Sequence, residues 1–409
     1  MNTPLPALCW ITMRTVEFKR AGFTIFARIL GEASAPALLY LQGGPGFPAP
    51  RERFAWITAA LARGYQVVLL DQRGTGRSTR IDAHTPSLID VSVLTQLRAN
   101  DIVSDAEALR EELGLARWDV LGQSFGGFCL THYLAAHPES VGRALFTGGL
   151  PTVTRSADEV YRATFDKLRA RHLAFNAQYP EAERMVREVC RHLDGEEERL
   201  PSGERLTPRR LRTVGVALGR EDGFESLARL FEAPFHPGGQ LRTDFLAEVG
   251  QRVSFAAAPL YAAIHESIYG GTVPGATAWA AERVSRELGG FAPDASPDDA
   301  EFYLTGEHIF PFQFAEDPAL RPFAAAAAEE LARKDDWADL YAGLRSASGG
   351  GFRAYAAVYT DDIFVPRELS LETADALGAE VFETAKYQHD GLRRHGAEVL
   401  GTLLDMAGV

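Results

Sequence analysis

The sequence predicts a mostly parallel, doubly wound α/β sheet interrupted by a large helical insertion. Three observations carry that expectation. Over the first 150 residues, short apolar runs alternate with helix-compatible segments, the texture of strand-helix-strand units stacked into one sheet. From about 155 to 345 the chain turns into amphipathic or alanine-rich helical stretches with almost no strand signal. From Gly351 the alternation returns. Residues 1–150 and 351–409 are therefore expected to share one sheet domain, with 151–350 forming a helical cap.

Taken in order, residues 14–20 and 23–30 read as an antiparallel pair joined near Gly22. The runs 37–41 and 67–70 are continuously apolar, as strands covered on both faces are, and each leads into a glycine-rich loop. Segment 98–113 places Ile102, Val103, Ala106 and Leu109 on one side of a helix. The apolar residues from Trp118 enter Gly122-Gln123-Ser124-Phe125-Gly126, and a helix-compatible stretch follows. Helices are predicted near 155–178, 180–194, 207–218, 222–231, 258–268, 275–287, 317–333 and 336–344, with Pro- and Gly-rich breaks at 234–239 and 289–297. The run Ala324 to Ala328 has strong helix propensity. Beyond it, 352–359 and 379–384 read as strands, 367–377 as a helix and 391–407 as a closing helix.

Composition narrows the function classes. A chain of 409 residues is long enough for two or three folding units at about 150 residues each. A net charge of -13 argues against a nucleic-acid partner, which would select a basic stripe. Cys9, Cys129 and Cys190 are too few and too scattered for a disulfide framework or a zinc site, so a reducing compartment, the cytoplasm, is expected. The N-terminal segment has no basic stretch and its short apolar run is broken by Pro6, so no cleaved signal peptide is expected. No apolar run approaches the roughly 20 residues of a membrane span.

A serine between glycines, after a strand and before a helix, is the nucleophile-elbow pattern, in which a sharp turn lifts one hydroxyl above the sheet end. Gly122 and Gly126 stand where strand and helix approach too closely for a Cβ. Ser124 then needs a general base, itself oriented by a carboxylate. In sheets of this type the order is serine, acid, histidine, each partner on a loop after a later strand. Of ten histidines, His389 alone follows a late strand and precedes the final helix. His132 and His137 belong to the helix after the elbow, and His395 lies inside the closing helix. The acid should end strand 352–359, where Asp361 and Asp362 both qualify by spacing; Asp390 reads as a helix cap. Oxyanion donors are expected from the N–H of Phe125 and from the glycine-rich loop 42–48. The segment Asp71 to Ser78 lacks the spacing and the lysine of a phosphate loop and reads as structural, with Asp71 and Arg73 tying loops together.

Gln42-Gly43-Gly44-Pro45-Gly46, Asp71-Gln72-Arg73-Gly74-Thr75-Gly76-Arg77-Ser78, Gly122-Gln123-Ser124-Phe125-Gly126-Gly127 and the late aspartate and histidine together resemble the prolyl aminopeptidase (proline iminopeptidase) family of α/β-hydrolase serine peptidases. The resemblance spans the whole sheet domain, and the insertion is similar to that of the family's larger members. It implies an α/β-hydrolase fold with a large inserted helical cap, and no metal or organic cofactor. Because family members carry the acid four residues before a proline, it selects Asp362, which precedes Pro366, over Asp361. It implies Gly44 as the second oxyanion donor. It also implies cap glutamates that bind the substrate's free amine, for which Glu266 and Glu307, both set among aromatics, are the candidates.

Gln42 stands where the family carries histidine, Phe125 where it carries tryptophan, and Thr360-Asp361 where it carries arginine and tyrosine. His265 and His308 have no further partners at metal-ligand spacing and read as supporting or surface groups. The implied activity is release of N-terminal proline, or a similar small residue, from short peptides that can pass the cap. The rival readings are an esterase or other acyl hydrolase with the same triad, and a silent hydrolase fold that binds a ligand.

Overall fold

The computed structural model describes residues 12–345 and 351–409. Cys9 and Pro6, and the expected domain boundary near 350, lie outside the described residues. Met13–Arg20 (β1) and Phe23–Leu30 (β2) pair antiparallel with Arg20 opposite Phe23. Their two-residue turn has φ of 47° at Ala21 and 84° at Gly22, the two positive values that match the twist of a hairpin. Ala37–Leu41 (β3), Gln66–Asp71 (β4), Trp118–Gln123 (β5), Val141–Thr147 (β6), Arg353–Tyr359 (β7) and Glu380–Thr384 (β8) complete the sheet. Its order is β1-β2-β4-β3-β5-β6-β7-β8, with β2 antiparallel to β4 and every later pairing parallel.

The sheet is wound on both faces, and the strands show it in alternation. Leu39 and Leu41 point into the core shared with helices Ala99–Glu112 and Phe125–Ala136, while Leu38 and Tyr40 point into the core shared with Ala55–Ala62 and Gly396–Met406. The central strands β3 and β4 are buried throughout, which is why they read as unbroken apolar runs. Strands β6 and β7 are direct neighbours although the helical insertion separates them in sequence. The insertion thus leaves and re-enters the sheet at adjacent strands, next to the carboxyl end of β5 that carries the elbow.

Several helices differ from expectation, each for a local reason. Ala55–Ala62 is apolar but for the exposed Thr58 and carries no one-sided stripe, so periodicity gives no sign of it. Thr243–Val253 and Pro311–Glu316 are also additional. The segment expected as a helix at 275–287 begins at Ala280, after Ala278 and Trp279 take positive φ. Segments 207–218 and 258–268 each end in a 3-10 helix, at Thr213–Gly219 and Glu266–Tyr269. The stretch 317–333 becomes a 3-10 turn at Arg321–Phe323 followed by a π-helix at Ala324–Leu331.

No helix forms over 336–341; a 3-10 turn follows at Ala342–Arg345. There tertiary packing overrides propensity. Trp337 lies under the Arg98 guanidinium at 4.3 Å, and a Cβ on Gly271 would stand 2.1 Å from the Ala338 carbonyl oxygen. The closing helix breaks at His395 into Gly391–Arg394 and Gly396–Met406. Among the described residues no helix is long and apolar enough to cross a membrane.

Candidate active site

Ser124 joins β5 to the helix Phe125–Ala136 with φ 53° and ψ -128°, a region costing a residue with a side chain about 1–3 kcal/mol. Missing Cβ atoms allow the turn. A Cβ on Gly122 would lie 2.6 Å from the Gly126 oxygen, and one on Gly126 would lie 1.9 Å from the Leu41 oxygen. Gly127 packs equally close to Gly149, and Gly149 to the Ser124 carbonyl. Sequence reasoning picked out Gly122 and Gly126 but missed Gly149, whose signal was the Gly148-Gly149 doublet after β6. The Ser124 N–H donates to the Thr147 carbonyl at 3.2 Å, and the Gly127 N–H donates to the Ser124 carbonyl at 2.7 Å.

Two loops bring the remaining groups to this hydroxyl. His389 Nδ1 lies 2.7 Å from Asp362 Oδ2, and His389 Nε2 lies 2.9 Å from Ser124 Oγ. The other carboxylate oxygen of Asp362 accepts from the Phe364 N–H at 2.8 Å and the Val365 N–H at 3.1 Å. A carboxylate offers only acceptors, so the imidazole must carry its proton on Nδ1, which leaves Nε2 free to accept from the Ser124 hydroxyl. Asp361, the spacing alternative, is exposed. Burial pulls the His389 pKa down, but Asp362 by charge and hydrogen bond, then Glu307 and Asp390, raise it above its ordinary value.

Ser124 and His389 open onto a cavity of about 420 Å³ that also receives Gln42, Gly43, Gly44 and Glu307. Gly43 packs on the serine, since a Cβ there would stand 2.8 Å from Ser124 Cβ; Gly44 has φ +130°, open to glycine but not to other residues. Phe125 begins its helix, so its N–H has no acceptor within that helix. Phe47, Phe255 and Tyr261 make an apolar wall, with Tyr261 stacked on Phe255 at 6.1 Å and tilted against Phe47 at 5.5 Å.

The two cap glutamates occupy different places. Glu307 faces the cavity and accepts from the Tyr261 hydroxyl at 2.6 Å. Enclosure by protein pushes its pKa up to about 7, against His389 and the Tyr261 hydrogen bond, which lower it. Glu266 does not line this cavity; it is buried, and its Oε2 accepts from the Ala281 N–H at 3.3 Å at the start of the helix Ala280–Glu287. Burial also raises its pKa to about 7, and among the described residues its Oε1 has no hydrogen-bond partner. Tyr161, which sequence reasoning did not single out, is buried in the field of Glu266, Tyr269 and Glu307, and its hydroxyl has no hydrogen-bond partner among the described residues.

His265 and His308 are buried rather than on the surface. Burial holds both neutral, with pKa values lowered to about 3. His308 stacks on Phe165 at 3.8 Å and lines the cavity. Asp390 is the N-cap residue of Gly391–Arg394 and pairs with Arg394 at 2.6 Å. Asp71 accepts from the Ala49 and Arg77 N–H groups and pairs with Arg51, while Arg73 pairs with Asp105 at 2.6 Å, so both tie loops. A groove of about 550 Å³ on the cap, between residues 178–185 and 225–232, carries neither the serine nor the histidine.

Comparison with known proteins places the chain in a family. The alpha/beta hydrolase fold model matches residues 36–223. The chain is 40% identical over 394 residues to a proline iminopeptidase of Aeromonas sobria, covering 93% of this chain and 91% of that protein. It is 28% identical over 401 residues to a proline iminopeptidase of Aspergillus aculeatus, covering 93% and 88%. A solved proline iminopeptidase-related protein of Thermus thermophilus aligns with a TM-score of 0.42 at 15% identity over 97% of this chain and 98% of that one, a likeness too weak to argue from. The Aeromonas similarity runs through sheet and cap alike, and the chain belongs to the proline iminopeptidase family of α/β hydrolases.

Proposed function

We propose that the chain is a serine aminopeptidase that releases N-terminal proline, or a similar small residue, from short peptides. The observation that carries this reading is the continuous hydrogen-bonded line Asp362–His389–Ser124 ending in the same cavity as the Glu307 carboxyl. Ser124 attacks the scissile carbonyl as His389 takes its proton, and the imidazolium is stabilised by Asp362. The N–H groups of Phe125 and Gly44 receive the oxyanion, each such donor lowering the barrier by about 3 kcal/mol. His389 then returns the proton to the departing amine, and water repeats the sequence on the acyl-enzyme.

Glu307 binds the substrate's ammonium group, since of the two candidate glutamates it is the one that lines the cavity of Ser124 and His389. An ammonium arriving at Glu307 stabilises the ionised carboxylate, so binding draws off the proton that enclosure favours. The aromatic wall of Phe47, Phe255 and Tyr261 suits an apolar ring beside that charge. The cap over the cavity restricts entry to short, unfolded chains.

Turnover of a proline arylamide and of its N-acetylated form tests the reading. An aminopeptidase cleaves the first and not the second, and Glu307→Ala raises KM for the first more than Glu266→Ala does. Equal turnover of both forms would point to a general acyl hydrolase instead.

A further inference from the structure

The rim of the cavity carries cations that the chemistry above does not use. Arg220, Arg252 and Arg393 line it together with Ser124 and His389. Arg252 is occupied, since it donates to Ser226 Oγ at 2.9 Å and to Glu248 at 2.6 Å. Arg220 and Arg393 are both exposed, and neither forms a salt bridge or side-chain hydrogen bond among the described residues; Arg393 only rests on the Phe54 ring at 5.3 Å. In a chain of net charge -13, most of whose arginines are paired with carboxylates, these two guanidinium groups at one cavity mouth are left unpaired.

Arg220 is also held in place from both sides. The Gly219 carbonyl accepts from the His389 N–H at 3.2 Å, and the Glu221 N–H donates to Asp390 Oδ1 at 3.1 Å. Glu221 meets His395 at 2.6 Å, and Asp222 pairs with Arg394 at 2.6 Å. The backbone around Arg220 is thus fastened to the loop that carries His389, while its guanidinium is left free. Asp390, the nearby carboxylate on the rim, is already engaged by Arg394 and by the Glu221 N–H.

We propose that Arg220, with Arg393, binds the free C-terminal carboxylate of a short peptide substrate. The inference rests on the aminopeptidase reading and narrows its substrate class to dipeptides and tripeptides bearing a terminal acid. A zwitterionic peptide is then held at both ends, ammonium at Glu307 and carboxylate at the arginines, with its first peptide bond presented to Ser124. Arginine suits the task because its planar fork meets a carboxylate with two parallel hydrogen bonds.

The test is the ratio of kcat/KM for Pro-Leu to that for Pro-Leu-amide, which differ only in the terminal charge. An exposed pair contributes about 1 kcal/mol, so wild type should favour the acid by about fivefold at low salt. The preference should shrink as sodium chloride screens the pair. Arg220→Ala should bring the ratio close to one, Arg393→Ala should lower it partway, and Arg220→Lys should keep part of it. Because the ratio is taken within each variant, a general loss of folded enzyme cancels.

A wild-type ratio near one, or a ratio that Arg220→Ala leaves intact, overturns the proposal. Hydrolysis of a proline arylamide, which has no carboxylate, reports separately on the aminopeptidase reading. If that reading fails, slowing of fluorophosphonate labelling of Ser124 by the two dipeptides supplies the same ratio from binding alone.

Discussion

The ring of Phe364 meets the imidazole of His389 edge-on, with centroids 4.8 Å apart and planes at 84°. Phe364 is fixed in turn by a glycine of the cap, because a Cβ on Gly219 would stand 2.3 Å from Phe364 Cζ. Gly219→Ala should therefore push the phenyl ring toward the base, and overpacking of this kind costs about 1–3 kcal/mol. We expect kcat/KM on a proline arylamide to fall roughly tenfold, about 1.4 kcal/mol in the barrier. Adding Phe364→Leu should restore part of the loss by removing the crowded ring edge. Full activity in Gly219→Ala would show that the ring does not position His389.

The two adjacent aspartates should separate sharply. In Asp362→Asn the side-chain oxygen can still accept the Phe364 and Val365 N–H groups, so the amide nitrogen would face His389 Nδ1. Two donors would then oppose each other, and the imidazole would be driven to the tautomer whose Nε2–H cannot accept the serine proton. A loss in kcat of ~10³–10⁴-fold is expected. Asp361→Asn, on an exposed side chain, should stay within a few-fold of wild type. Comparable losses in the two variants would remove Asp362 from the triad.

The contrast between these aspartates shows what the sequence made legible. Strands β3, β4 and β5 and the elbow were readable because a buried parallel strand is an apolar run and a sharp turn needs glycine. Spacing alone left Asp361 and Asp362 level, since direction at a loop is set by backbone hydrogen bonds the sequence does not display. The helix Ala55–Ala62 was hidden by having no polar face, and the expected helix at 336–344 was undone by Trp337 packing against Arg98 and Gly270. Glu266 and Glu307 looked alike in sequence, each a carboxylate among aromatics; only the fold turns one to the cavity and the other to a helix start. Arg220 carried no signal, because its significance comes from a clasp between segments far apart in the chain.

Glu307 should govern the pH at which the base becomes available. His389 must be neutral to accept the serine proton, and the negative charge of Glu307 is one of the influences, after Asp362, that raise its pKa. Glu307→Gln removes that charge, which favours the neutral imidazole. The acid limb of the pH profile should move to lower pH. Fluorophosphonate labelling of Ser124 is the suitable measurement, because the reagent carries no amine and does not depend on Glu307 for binding. The two groups titrate as a pair in wild type, so the variant should also show a simpler transition. An acid limb that stays in place or moves up would contradict the coupling.

Glu266 should make stability depend on pH in a predictable direction. Burial raises its pKa from 4.5 to about 7, so the folded protein holds a proton that the unfolded chain gives up. The associated stability is fully present below about pH 4.5 and is lost as pH rises through 7, a change on the order of 3 kcal/mol. Glu266→Gln keeps an acceptor for the Ala281 N–H and has no proton to lose. Its thermal midpoint relative to wild type should therefore climb between pH 5 and pH 8. His172, His265 and His308, held neutral with pKa values near 3, act with the opposite sign, weakening the fold as pH falls below the ordinary histidine value. They are common to both proteins and cancel in the difference, so a midpoint difference that does not change with pH would mean that Glu266 is already ionised in the folded chain.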